Sequence, residues 1–135
     1  MRADPYLLFQ GRCAEALEFY RETLEANIES LVRFDDVPGS LPGTEDKIMH
    51  AAMRIGESTV LASDGRSGAG VKFSGFSLTL QVADDAEAEH LFAVLAEGGA
   101  VELPLMSTPF ASRFGKVADR FGTPWMIVTQ QQLTR

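Results

Sequence analysis

One pattern, written twice, constrains this chain more than any other feature. A short apolar run, an amphipathic helix and three further strand-like runs fill roughly residues 1–72, and the same order returns over 73–135. In the first copy, residues 6–9 read as a strand closed by Gly11. Cys13 to Leu24 then switches to helical spacing, with Ala16, Leu17, Tyr20 and Leu24 on one face. Strands follow at 28–34, 49–55 and 58–63, the last two as a hairpin around Gly56. In the second copy, Phe76, Leu78, Leu80 and Val82 alternate with Ser77, Thr79 and Gln81. Asp84-Asp85 caps a helix whose apolar face is Ala88, Leu91, Phe92 and Leu95, and Gly98-Gly99 ends it. Strands at 101–105, 113–118 and 125–129 complete the unit. Phe19-Tyr20 matches Leu91-Phe92 at a spacing of 72 residues, and the run from Gly56 matches the run from Gly122 at 66. Loops at 35–47 and 64–75, rich in Gly and Pro, lengthen the first copy. The reading is one α+β domain, residues 1–135, made of two βαβββ modules. Each half-sheet must pair with the other or with another chain.

Charge narrows the partners. Twelve basic against nineteen acidic residues give a net charge of -7, whose field repels nucleic acid and anionic membranes. The longest helical apolar run, 91–96, is far short of a bilayer span, so no membrane is expected. The single cysteine, Cys13, permits no internal disulfide and makes the cytoplasm the simplest address.

Three runs carry a family resemblance: PYLLFQGRCAEALEFYRETL, IMHAAMRIGESTVLASD and FGKVADRFGTPWMIV. They resemble the PhnB-like branch of the vicinal oxygen chelate superfamily, which includes glyoxalase I, bleomycin-resistance proteins and extradiol dioxygenases. The block FGxxxDxFGxxWM is specific to that branch. The resemblance implies a curved mixed sheet around a cleft, and usually a homodimer whose interface helps wall that cleft. The branch also carries a ubiquinone-type methyltransferase label, yet no G-x-G-x-x-G follows a strand here to bind a nucleotide.

The superfamily implies a divalent metal held by His, Gln or Glu from four strands. Carried over by strand register, those places fall at Pro5, Val60, Ser77 and Met126. None is a hard ligand, so no metal and no cofactor are expected. A one-residue slip would invert the face and bring Tyr6 in. The remaining cleft positions, Leu7, Phe9, Thr79, Gln81, Val128 and Gln130, offer apolar walls with a few neutral hydrogen-bonding groups.

Other candidates divide between chemistry and packing. His50 lies opposite Met49, Ala51 and Met53, and reads either as a base or ligand partner or as a packed strand histidine. His90 falls off its helix's apolar stripe and is a solvated residue. Phe110, Phe114, Phe121 and Trp125 cluster around Arg113, as pocket walls with an anion partner or as hairpin packing. Ser63 to Gly70 is a flexible loop, neither a nucleophile elbow nor a phosphate loop. Cys13 is a packing or exposed thiol. These readings together predict a protein that binds a small organic ligand in a dimeric cleft without the usual metal. The alternative is a metal-dependent lyase, isomerase or dioxygenase.

Overall fold

The computed structural model describes residues 1–36, 46–65 and 72–130. The chain divides into two compact units, Met1–Val71 and Lys72–Arg135. The first holds β1 (Tyr6–Leu8), α1 (Cys13–Leu24), β2 (Asn27–Arg33), a 3-10 turn at Phe34–Asp36, β3 (Ile48–Ile55) and β4 (Ser58–Ser63). The second holds β5 (Leu78–Val82), α2 (Asp85–Ala96), β6 (Ala100–Thr108), β7 (Ala111–Ala118) and β8 (Pro124–Thr129). Their sheets have the same topology, β1-β4-β3-β2 and β5-β8-β7-β6. In each, the first strand runs parallel to the fourth and the other pairs are antiparallel. The architecture is the expected α+β pair of βαβββ modules.

Each helix buries one stripe against its own sheet. In α1 the buried residues are Cys13, Ala16, Leu17, Phe19 and Tyr20, and the Tyr20 ring lies 6.2 Å from that of Phe9. Leu7, Ala51, Met53, Val60 and Ala62 supply the strand side of that core, each contributing on the order of 1–3 kcal/mol by leaving water. In the second unit Ala88 and Leu95 of α2 are buried, with Val117, Trp125 and Ile127 on the strands.

The helices begin in different ways. Asp84 caps α2 locally, its side chain accepting from the Glu87 amide at 2.8 Å while Glu87 Oε2 accepts from the Ala83 amide at 3.2 Å. This differs from a capping box in that the Glu87 carboxylate returns to the amide before the cap residue instead of to the cap's own. The residue before α1, Arg12, offers no side-chain cap. Asp64, just past β4, accepts instead from the Cys13 amide at 2.8 Å and from the Ile48 amide at 2.8 Å. One buried carboxylate thus ties the start of α1 to the start of β3.

Several strand limits differ from the sequence reading. Phe76 and Ser77 stand outside β5, because its partner β8 begins at Pro124 and the ladder opens at Leu78↔Trp125. β6 runs on to Thr108 through Pro104, which is tolerated because β6 is an edge strand. β7 starts at Ala111, closing a tight turn with β6 through the pair Thr108↔Ala111. Phe34 leaves β2 for the 3-10 turn. Loop expectations at 37–45 and 66–71 lie outside the described residues.

Candidate functional site

Strand phase decides which side chains α1 covers. Leu7 pairs with Ala62, which pairs with Ala51, and all three are buried on the helix side. Tyr6 pairs with Leu61, which pairs with Ala52, so these occupy the opposite, open face with Leu8 and His50. Phe9 follows Leu7 onto the helix side against Tyr20. Pro5 and Val60 share that phase, so the first-unit positions carried over for ligands are one residue out. The open-face residues there are Tyr6 and Leu61. The cause is turn length. The β3–β4 turn has Ile55 paired with Ser58, whereas the β7–β8 turn spans the longer stretch between Ala118 and Pro124. Equating Gly56 with Gly122 therefore shifts the strands by one residue, and a period-2 element changes face.

A bulge helps to place His50. Val32 pairs with His50 and Arg33 with Ile48, which leaves Met49 as the extra residue on β3. Ile48 and Ala51 are consequently both buried, and His50 turns outward. There its Nδ1 lies 2.9 Å from the Tyr6 hydroxyl, and the two rings stand 5.6 Å apart. The phenol reaches across β4 to make this contact. Tyr6 is 46% exposed and Leu8 39%, so the pair faces solvent beside apolar side chains.

In the second unit the open face carries two ladder rows, Thr79–Met126–Lys116 and Gln81–Val128–Phe114. The sequence reading had Thr79, Gln81, Met126 and Val128 on one face, and the ladder brings them together. Ser77 lies just before the strand and is half-buried. Phe114 meets Phe110 edge-on at 5.2 Å. Lys116 was missed, although alternation between Gly115 and Val117 is a signal that could have found it. It is half-buried on the open face.

Trp125 and Arg113 stand apart from this face. Trp125 is 2% exposed and its indole donates to Asp119 Oδ2 at 2.9 Å. Arg113 is paired with Asp85 at 3.4 Å and Glu89 at 3.3 Å on α2, so its charge is already engaged.

Gly115, Asp119 and Trp125 of the branch-specific block are scaffold in this chain. Asp119 Oδ1 also accepts from the amides of Phe121 at 2.9 Å and Thr123 at 3.0 Å, closing the β7–β8 turn. Gly115 leaves room for α2, since a Cβ there would stand 2.9 Å from Phe92 Cε2. His90 is exposed, as expected. Cys13 is a buried free thiol, pushed up to about 12 chiefly by burial and further by the nearby Asp64 charge. That removes it from nucleophilic chemistry.

The metal of the superfamily does not fit the open-face donors. In the first unit the open face offers one phenol and one imidazole, Tyr6 and His50, and in the second unit Thr79 and Met126 offer a hydroxyl and a thioether; neither set matches a hard divalent cation. Among the described residues, no three His, Cys, Asp or Glu side chains converge as ligands.

The repeated βαβββ modules have the glyoxalase-like, vicinal oxygen chelate fold. Within that class the chain belongs to the PhnB-like family, whose model, described as 3-demethylubiquinone-9 3-methyltransferase, matches residues 2–128. It is 35% identical to Protein YjdN of Escherichia coli K12, with both chains covered completely. It is similar to the crystal structure of protein PA1353 from Pseudomonas aeruginosa, at 40% identity and TM-score 0.88 over 98% of this chain and 99% of that one. The PhnB protein of Bacillus cereus, titled a putative 3-demethylubiquinone-9 3-methyltransferase, is 27% identical with TM-score 0.80, covering 96% of this chain and all of its own. A glyoxalase-related enzyme and a glyoxylase/bleomycin resistance/dioxygenase domain, both 16% identical with TM-scores of 0.63 and 0.67, share the fold alone.

Proposed function

We propose that this protein binds a small organic ligand on the open face of its first sheet, anchored by Tyr6 and His50. The observation that carries the reading is the Tyr6–His50 pair, 2.9 Å apart, set beside Leu8 and Leu61 on a face that α1 leaves uncovered. Apolar surroundings with one or two directed polar groups are what holds a compact organic molecule. Thr79, Gln81, Met126, Val128 and Lys116 give the second sheet an open face of its own, a separate candidate contact surface. Residues engaged in the scaffold, namely Leu7, Phe9, Trp125 and Arg113, support the sheets behind these faces. Methyl transfer from a nucleotide cofactor finds no support in the sequence, where no G-x-G-x-x-G follows a strand.

We further propose that the chain works as a homodimer. Exposed Leu31, Val101 and Met106 are large apolar groups that contact with a second copy would take out of water. Sedimentation at micromolar concentration gives a dimer if this is right, and a monomer if it is not.

Titration of a compound library against methyl-labelled protein tests the ligand site. The expected result is concentration-dependent shifts at Leu8, Leu61 and Ala52. Shifts confined to surfaces that exclude these residues would refute the assignment.

A further inference from the structure

We propose that the Tyr6 hydroxyl donates to His50 Nδ1 and so holds the imidazole with its proton on Nε2, making this face a donor site for an oxygen acceptor carried on an apolar body. The inference rests on the ligand-site reading above and specifies its chemistry. A neutral imidazole has one donor nitrogen and one acceptor, and the hydrogen bond to one nitrogen fixes the role of the other. Tyr6 Oη lies 2.9 Å from Nδ1, so that nitrogen is occupied. A phenol is the better donor of such a pair, because its oxygen lone pair is delocalised into the ring. The proton on the phenol therefore points at Nδ1, and the imidazole keeps its own proton on Nε2.

What surrounds that N–H selects its partner. Leu8, Leu61 and Ala52 share the face, so the body of the ligand meets hydrocarbon. Arg54, on the same side of β3 as His50, is paired with Glu29 at 3.4 Å and adds little free positive charge. With a net charge of -7, the protein repels polyanions. The matching class is a neutral carbonyl compound or a monocarboxylate with an apolar or aromatic body. Both present the same acceptor oxygen. Nothing in this arrangement asks His50 to give up its outer proton, as coordination of a metal through Nε2 would require.

The test uses the full chain in mildly alkaline buffer, where imidazole is neutral. Side-chain proton–nitrogen correlation spectra assign the tautomer, with exposed His90 as internal reference. Benzamide and benzoate serve as acceptor probes, neutral and anionic, and benzylamine as a cation lacking an acceptor oxygen. Expected are a proton on His50 Nε2, shifts of that resonance with benzamide or benzoate, and none with benzylamine. A preference for benzoate that fades with added salt would mark the carboxylate as the source, and equal binding of the two would mark the carbonyl. Tyr6→Phe, a substitution at a half-exposed position, should weaken the acceptor probes roughly three- to tenfold, about the worth of one neutral hydrogen bond. It should also shift the His50 tautomer balance.

A proton on Nδ1 in the wild-type protein would overturn the inference. So would benzylamine acting like benzamide, or unchanged probe affinity in Tyr6→Phe. If every aromatic probe shifts Leu8 and Leu61 regardless of Tyr6, the hydrogen-bond assignment fails and the ligand site stands. If no probe shifts Leu8, Leu61 or His50, the ligand-site reading fails with it.

Discussion

The two units repeat one topology but hold their helices differently. Asp64 stands two residues past buried Ala62 and Thr129 two residues past buried Ile127, and both are themselves buried. Asp64 takes the amides of Cys13 and Ile48 directly. Thr129 Oγ1 takes the Arg113 amide at 3.0 Å and bonds Ser112 Oγ at 2.9 Å, and Ser112 in turn bonds Asp85 at the start of α2. The first unit fastens its helix with a charge supplied from a distant strand. The second fastens it with a local cap and reinforces it with a hydroxyl relay. The same fold therefore tolerates different polar solutions for fastening its helix. The unit that relies on a single carboxylate should be the more fragile.

Removing each fastener breaks the comparison in order of size. Asp64→Ala leaves two buried amides without acceptors and should cost about 4 kcal/mol, summing charge-assisted bonds of roughly 1.5–3 kcal/mol each with allowance for relaxation. Urea unfolding measures it, and a loss near zero would show that another group takes over. Thr129→Val removes one neutral acceptor in a similar volume and should cost about 1–2 kcal/mol. Asp84→Ala should cost about 1 kcal/mol, the usual worth of an N-cap. A larger loss for Asp84→Ala than for Asp64→Ala would reverse the proposed order.

Cys13 sharpens the same contrast, because it lies beneath the Asp64 clamp. Its thiol is raised from 9.0 to about 12 in the folded chain. The unfolded chain therefore releases this proton first, and the contribution present below pH 9.0 is lost as pH rises towards about 12. The urea midpoint of the wild type should fall more steeply over that range than that of Cys13→Ala, and thiol reagents should label the folded protein slowly. Rapid labelling, or parallel pH profiles, would contradict the buried thiol.

The repeat, both helices and the strand order were legible because period and punctuation change along the chain. The phase of the second unit's first strand was legible too, since polar Thr79 and Gln81 alternate with Leu78, Leu80 and Val82. In the first unit Tyr6, Leu7, Leu8 and Phe9 form an unbroken apolar run with no phase to read. Tyr20 on α1 and Ala62 on β4 set it instead, and both are distant in sequence. Tyr6 was therefore visible only as the neighbour that a slip would bring in. Alternation sets His50 on the face opposite Ala51 and Met53, but its contact with Tyr6 depends on strands that are not adjacent. The local cap Asp84 was legible for the reason Asp64 was not: its partners lie within four residues.

The central claim is a ligand site on the first sheet built from hydrogen bonding and apolar contact without a coordinated metal. Metal stoichiometry tests it most directly. Protein equilibrated with Ni, Zn, Mn or Fe(II) and then desalted should retain far less than one ion per chain, with His50 side-chain resonances unchanged, because one imidazole and one phenol leave most of a coordination sphere on the first sheet to water. Near-stoichiometric retention of any of these ions, abolished by His50→Ala, would contradict the account and restore a metal-dependent enzyme.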